Sequence, residues 1–167
     1  EVLQLLNAHD PETTEQRYLE VIYRKTARLF EAGAEVAAVL AGADEKQCVT
    51  FANYGRHLGT AFQLIDDVLD YRGSAEERGK NLGDDLAEGK PTLPLIHALR
   101  HGTAQQQQLI RHAIEHGGLE QLAPITETIE STGSLDYTAH LAKQESAAAL
   151  AALKDIPESD HVHALRT

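Results

Sequence analysis

The sequence predicts an all-α fold. Apolar residues recur at three- and four-residue steps along most of the chain, no segment alternates with a period of two, and prolines and capping residues sit where helices would begin. From Thr14, positions Leu19, Ile22, Tyr23, Thr26, Leu29, Phe30, Gly33 and Ala37 trace one face of a long amphipathic helix ending near Gly42. Asp10-Pro11 and Thr13-Thr14 supply its N-terminal capping chemistry. A second pattern runs from about Asp44 to Tyr71 through Val49, Ala52, Leu58, Phe62, Ile65 and Leu69, and Arg72-Gly73 closes it. Residues 72–90 (RGSAEERGKNLGDDLAEGK) are charged, Gly-rich and aperiodic, which predicts a loop able to close over a ligand. Pro91 and Pro94 suit helix first turns. Further helices are expected at about 94–101, 104–116, 119–131 and 134–154, the last capped by Ser134 after Gly133. No repeat and no internal domain boundary is expected.

Composition narrows the function classes. The formal charge is −11. Such a field repels nucleic-acid backbones and anionic lipid headgroups, although divalent cations can still bridge an acidic protein to an anion. The single cysteine, Cys48, excludes an internal disulfide, and no Cys/His cluster suggests structural zinc, so a reducing compartment, the cytoplasm, is expected. No apolar run reaches the roughly 18 residues that cross a bilayer. The chain opens EVLQLLNAHD without Met or a basic n-region, and it is read as beginning inside a longer gene product.

The strongest local pattern is Phe62-Gln63-Leu64-Ile65-Asp66-Asp67-Val68-Leu69-Asp70. Residues three and four apart share a helix face, so Gln63, Asp66, Asp67 and Asp70 form an oxygen-rich stripe beside Phe62, Ile65 and Leu69. Three carboxylates within five residues repel one another, and a divalent cation would resolve the repulsion. Oxygen-only ligands favour Mg²⁺, which commonly uses one or two carboxylates together with substrate phosphates. Taken alone, the stripe also fits a solvated acidic face. On the preceding helix Thr26 lies on the apolar stripe and Lys25 at its border, an unusual place for an ammonium. A short connection at 42–44 favours antiparallel packing, which would bring Lys25-Thr26 near the level of Gln63 to Asp67. Lys80 and Lys90, each after a glycine, would add two cations from the loop.

Several other patterns lead nowhere. Neither Gly-Lys pair has P-loop spacing or a following Ser or Thr. His112-Ala-Ile-Glu115-His116 formally matches a zinc-peptidase pattern, but Leu109, Ile110, Ala113 and Ile114 claim the buried face and leave these histidines outward. His97 and His101, also one turn apart, are assigned to the surface, and Gln105 to Gln108 to a solvated helix face.

The order K-T, F-Q-x-x-D-D-x-x-D, G-K-x-x-G-x-D and G-K-P-T-L-P resembles the C-terminal half of the trans-isoprenyl diphosphate synthases. YRKTARLFEAGAEVAAVLAGA and YGRHLGTAFQLIDDVLDY are similar to the bacterial octaprenyl branch of that family. The resemblance implies the C-terminal half of a helical bundle, and a prenyltransferase that joins isopentenyl diphosphate to an allylic diphosphate. It implies Mg²⁺ on Asp66, Asp67 and Asp70, and diphosphate contacts from Lys25, Lys80 and Lys90. Thr26 and Gln63 would lie near the carbon that becomes cationic, and Thr26, Gln63 and Asp66 would carry the catalytic burden. A homodimer is the implied assembly. The family's first aspartate-rich motif and its isopentenyl diphosphate site would belong upstream of Glu1, so residues 1–167 are expected to be inactive alone and to expose an apolar flank. The alternative is a non-catalytic, prenyltransferase-like regulatory subunit, with a terpene cyclase ranked behind it.

Overall fold

The structure, a computed structural model, describes residues 2–72 and 83–166. Among these residues every regular element is helical: α1 (Val2–Asn7), α2 (Glu15–Ile22), a π-helical turn (Tyr23–Ala27), α3 (Arg28–Leu40), α4 (Glu45–Leu69), α5 (Asp84–Ala87), α6 (Leu93–His101), α7 (Ala104–His116), α8 (Leu122–Ser131), α9 (Ser134–Ala152) and α10 (Asp160–Arg166). Short 3₁₀ turns at Leu119–Gln121 and Leu153–Asp155 adjoin α8 and α9. The all-α expectation holds. Two segments depart from it: α1 and α10 were not anticipated, and part of the predicted loop, Asp84–Ala87, is helical.

Local chemistry explains where the helices start. Asp44 caps α4 reciprocally, its carboxylate accepting the Gln47 N–H at 2.8 Å while the Gln47 side chain accepts the Asp44 N–H at 3.0 Å. Thr103 and Gln106 do the same for α7, and Gln106 also donates to Ser131 Oγ at 3.1 Å. The glutamine run is therefore not wholly the idle solvated face expected of it. Proline in the first turn of α6 lacks the N–H that a helix start leaves unpaired.

The chain gathers into two compact units, one built from Glu1–Val21 and Leu64–His140, the other from Ile22–Gln63 and Leu141–Thr167. Each draws on two separate stretches, so no single cut in the sequence separates them. The first unit has a core of Tyr71, Leu86, Leu95, Ala98, Ile110, Ala113, Ile114, Ile125, Ile129 and Leu135. The second packs Tyr54, Ala149 and Leu153 with Phe51, Leu58, Ala152 and Ile156. Large apolar side chains stay exposed at Val2, Leu5 and Leu6 in the first unit and at Leu29, Val36, Val39 and Leu40 in the second. No helix among the described residues is long and apolar enough to cross a membrane.

Candidate active site

The predicted long helix is interrupted by one π turn, Tyr23–Ala27, centred on Lys25 and Thr26. A π turn holds one residue more than an α turn, so the face presented beyond it is rotated. That corrects the predicted stripe: Leu29, expected on the apolar face, is 75% exposed, while Ala27 is fully buried. In the second unit, α4 runs against this turn at very short range. A Cβ on Gly59 would stand 2.7 Å from Ala27 Cα, and one on Gly55 would collide with the Phe30 carbonyl. Only glycine allows this approach. The pairing of 55 with 30 and of 59 with 27 is antiparallel, as expected. It delivers Thr26 to Gln63: the Thr26 hydroxyl donates to Gln63 Oε1 at 3.0 Å. Having given its proton to the amide, Thr26 Oγ1 presents lone pairs elsewhere. Lys25 is half-buried and has no acidic partner among the described residues.

In the first unit the carboxylates of α4 separate in role. Asp66 is exposed. Asp67 is 2% exposed, and its Oδ2 accepts a 2.6 Å hydrogen bond from the phenol of Tyr18, itself buried. Burial and then the Asp67 charge push the Tyr18 phenol well above the ordinary tyrosine value, so it remains a donor. Asp67 was expected on the oxygen-rich metal stripe, without Tyr18 beside it; the available signal was a tyrosine hydroxyl on a buried helix face, which requires a partner. Asp70 is half-buried, and its Oδ2 has no hydrogen-bond partner. Burial first, then the nearby charge of Asp85, raise its carboxyl to about 6, with Asp84 and Asp66 adding to the effect and a bond from the Asp85 N–H opposing it. The Asp70 carbonyl accepts the Gly83 N–H at 3.1 Å.

Lys90, expected as a cation supplied by the loop, is paired with carboxylates of its own segment. Its ammonium lies 2.8 Å from Asp85 and 2.8 Å from Glu88. Burial alone would lower its basicity, but these two acids outweigh burial and hold it above the ordinary lysine value. The physical reason is helix α5, whose single turn brings Asp85 and Glu88 within reach of a side chain that sequence distance left alone. Gly89 is pinned by His9: the His9 N–H donates to the Gly89 carbonyl at 2.8 Å, and the His9 ring, hydrogen-bonded to the Ile114 carbonyl, occupies the place where a Gly89 Cβ would stand. Lys80 lies outside the described residues, as does most of the predicted closing loop.

The donor set around Asp70 is all oxygen, one buried carboxylate oxygen is orphaned, and neighbouring acids raise its affinity for positive charge. These features fit a divalent cation of the Mg²⁺ or Ca²⁺ kind. Among the described residues no three Asp, Glu, His or Cys side chains converge tightly enough to hold an ion on their own. Such a cation would need oxygens from elsewhere, as one shared with a phosphate does.

Comparison with known proteins gives one family. Its sequence profile, described as Polyprenyl synthetase, matches residues 1–131. The octaprenyl diphosphate synthase of Escherichia coli K12 is 53% identical over 166 residues, covering 99% of this chain and 51% of the relative. That of Haemophilus influenzae is 54% identical, again with 99% of this chain and 50% of the relative. A crystal structure of polyprenyl synthase from Caulobacter crescentus, complexed with calcium and isoprenyl diphosphate, superposes with a TM-score of 0.93 at 41% identity, over 99% of this chain and 51% of that one. The chain thus spans about half the length of the relatives it matches.

Proposed function

This chain belongs to the polyprenyl synthetase family, and from that premise we propose that it is the allylic-diphosphate-binding part of a trans-prenyltransferase making a long-chain, octaprenyl-type, all-trans diphosphate. Residues 1–167 form the C-terminal part of a single synthase domain, and the first aspartate-rich motif with the isopentenyl diphosphate site lies upstream of Glu1. The working assembly is a cytoplasmic homodimer. The observation that supports this most directly is the acidic group around Asp70, with its orphaned carboxylate oxygen.

The residues divide the work by charge. Asp66 and Asp70 hold Mg²⁺, and Asp67, fixed by Tyr18, orients the stretch between them. When bound, the cation neutralises the negative charge that builds on the diphosphate leaving group as the allylic C–O bond breaks. Lys25, Lys80 and Lys90 bind the same diphosphate oxygens. Thr26 and Gln63 act on the opposite sign. Their oxygen dipoles stabilise the allylic cation, and the Thr26 proton, committed to Gln63, is not aimed at it. Apolar walls exclude the water that would quench the cation. The π electrons of isopentenyl diphosphate then form the new C–C bond, and loss of a proton restores the alkene.

The test is Mg²⁺-dependent extension of farnesyl diphosphate by labelled isopentenyl diphosphate, run on the full-length protein and on residues 1–167 alone. Activity in the first and none in the second is expected. No activity in the full-length protein with intact diphosphate binding would favour the regulatory-subunit reading instead.

A further inference from the structure

Among the described residues His9 is the one non-glycine residue with a positive φ, +61°. A side chain in that region is held there by its surroundings, and histidine, like asparagine, tolerates it better than most. His9 is exposed, so burial of its own ring does not account for the conformation. What the conformation achieves is contact with the segment that carries Lys90. The His9 N–H donates to the Gly89 carbonyl at 2.8 Å. A carbonyl can only accept, so His9 Nδ1 is the donor in its 3.1 Å contact with the Ile114 carbonyl of α7. That bond keeps the ring against Gly89, in the place where a Cβ would stand. Gly89, itself at φ +63°, is thus held by the main chain and the side chain of one residue, immediately before Lys90.

The turn that presents His9 is braced in its own right. Arg17 Nη1 donates to Asp10 Oδ2 at 2.9 Å and Nη2 to Asn7 Oδ1 at 2.6 Å, so one guanidinium ties together the residues on both sides of His9. The Asp10 N–H closes the turn on the Asn7 carbonyl at 3.2 Å, and Asn7 is buried. The next residue along, Tyr18, is the donor to Asp67. Residues 7–18 therefore reach the candidate site twice, at Lys90 through His9 and Gly89, and at α4 through Tyr18 and Asp67. All of these residues lie in the first unit.

We propose that His9 is a positioning residue for the diphosphate: its backbone and ring fix the Gly89–Lys90 peptide, and so fix where the Lys90 ammonium is presented. The inference rests on the reading of Lys90 as a diphosphate ligand. Without the His9 clamp, Gly89 is free to leave φ +63°, because glycine has other conformations open to it, and the Lys90 ammonium loses its fixed place beside Asp85 and Glu88.

The test uses full-length protein in two assays. Competitive acetylation of the ligand-free protein, read at Lys90 by peptide mass spectrometry, reports how firmly the ammonium is held. Calorimetric titration with inorganic diphosphate, with and without Mg²⁺ at constant ionic strength, reports what that position does. His9→Gly accepts the positive φ without strain, so it removes the ring with little risk to folding, which circular dichroism checks. It should acetylate at Lys90 several-fold faster and weaken Mg²⁺-dependent diphosphate binding about tenfold, the scale of one hydrogen bond to a charged group. His9→Asn tolerates the same φ, and its amide nitrogen is bonded to Cγ as His9 Nδ1 is, so it should behave as the native protein in both assays. In a Lys90→Met background, His9→Gly should weaken binding no further. Unchanged acetylation of Lys90 in His9→Gly overturns the proposal, and so does a loss of affinity that persists undiminished beside Lys90→Met. If Lys90→Met alone leaves diphosphate binding unchanged, the assignment of Lys90 to the diphosphate fails, while faster acetylation in His9→Gly with rescue by His9→Asn still upholds the clamp.

Discussion

Replacing Gly59 by alanine should destabilise the protein and open the Thr26–Gln63 pair. The new Cβ would stand 2.7 Å from Ala27 Cα, 3.0 Å from Phe30 Cβ and 3.1 Å from Phe30 Cγ. The nearest atom is main chain, so a rotamer change cannot relieve the contact. Reaching an ordinary carbon–carbon separation of about 3.6 Å requires ~0.9 Å of helix displacement. Carried four residues along α4, that displacement would stretch the 3.0 Å Thr26–Gln63 bond beyond hydrogen-bonding range. Overpacking of this kind costs about 1–3 kcal/mol, against a gain of about 1 kcal/mol from replacing a helical glycine. A net loss of up to about 2 kcal/mol is expected. Gly33 is the control, for it lies inside α3 with nothing within 4 Å of its would-be Cβ. There the propensity gain acts alone, and Gly33→Ala should stabilise by about 0.5–1 kcal/mol. Urea denaturation of both variants at constant m-value measures the difference. If Gly59→Ala is as stable as Gly33→Ala, the close approach of α4 to the π turn does not hold.

Asp66→Ala in the full-length protein should lower kcat by about a hundredfold, or ~3 kcal/mol of transition-state stabilisation, with near-wild-type turnover refuting its role at the metal. Tyr18→Phe should cost about 1–3 kcal/mol in stability, because it removes a 2.6 Å donor from the buried Asp67 carboxylate; an unaltered urea midpoint would refute that pairing. Asp70 binds its proton more tightly folded, at about 6, than unfolded, near 3.8. Between these values the native state holds more protons than the unfolded one, so its contribution to stability falls as pH rises from about 4 to 6. Without metal, Asp70→Asn should flatten that part of the profile, and an unchanged slope would refute the shift. Gly89→Ala should be strongly destabilising, since the Cβ meets the His9 ring and the backbone φ is +63°; a wild-type thermal midpoint would count against it.

Much of the fold could be read from the sequence because it rests on local physics. The period of apolar residues, Asp44 ahead of α4 and Pro94 in the first turn of α6 need no tertiary knowledge. The π turn does. Tyr23–Ala27 (YRKTA) has ordinary helical composition, and its extra residue becomes visible only with α4 packed against Ala27 through Gly59 and against Phe30 through Gly55. The candidate site was legible to the same degree. The expected antiparallel packing put Thr26 near the level of Gln63, and the two meet at 3.0 Å. Tyr18 was missed because its partner lies 49 residues away. Lys90 was misjudged because a loop reading gave no reason to bring Asp85 back to it. His97, assigned to the surface, is half-buried; its stacking on Tyr137 and its 2.9 Å hydrogen bond with Ser134 Oγ have no sequence signature.

On the proposed function, the charges around Asp70 would connect the acidic composition to the binding of an anionic substrate. Asp66, Asp84 and Asp85 all act on Asp70, and Lys90 is the cation bonded to this group, through Asp85. A diphosphate approaching such a surface alone would be repelled. Burial first, and then these neighbouring charges, raise the Asp70 carboxyl to about 6, so positive charge is favoured beside it. A divalent ion reverses the sign of the local field, so the carboxylates that would exclude the substrate become the means of holding it. Metal-free protein should therefore bind inorganic diphosphate weakly at pH 7, and Mg²⁺ should tighten that binding by far more than ionic strength alone accounts for. Asp70→Asn and Asp66→Ala should each reduce the Mg²⁺-dependent part while leaving the weak metal-free part unchanged or slightly stronger. Calorimetric titration with diphosphate, with and without Mg²⁺ at constant ionic strength, measures both. Tight metal-free binding, or a Mg²⁺ effect that survives both substitutions, would place the diphosphate on the lysines alone and refute this account.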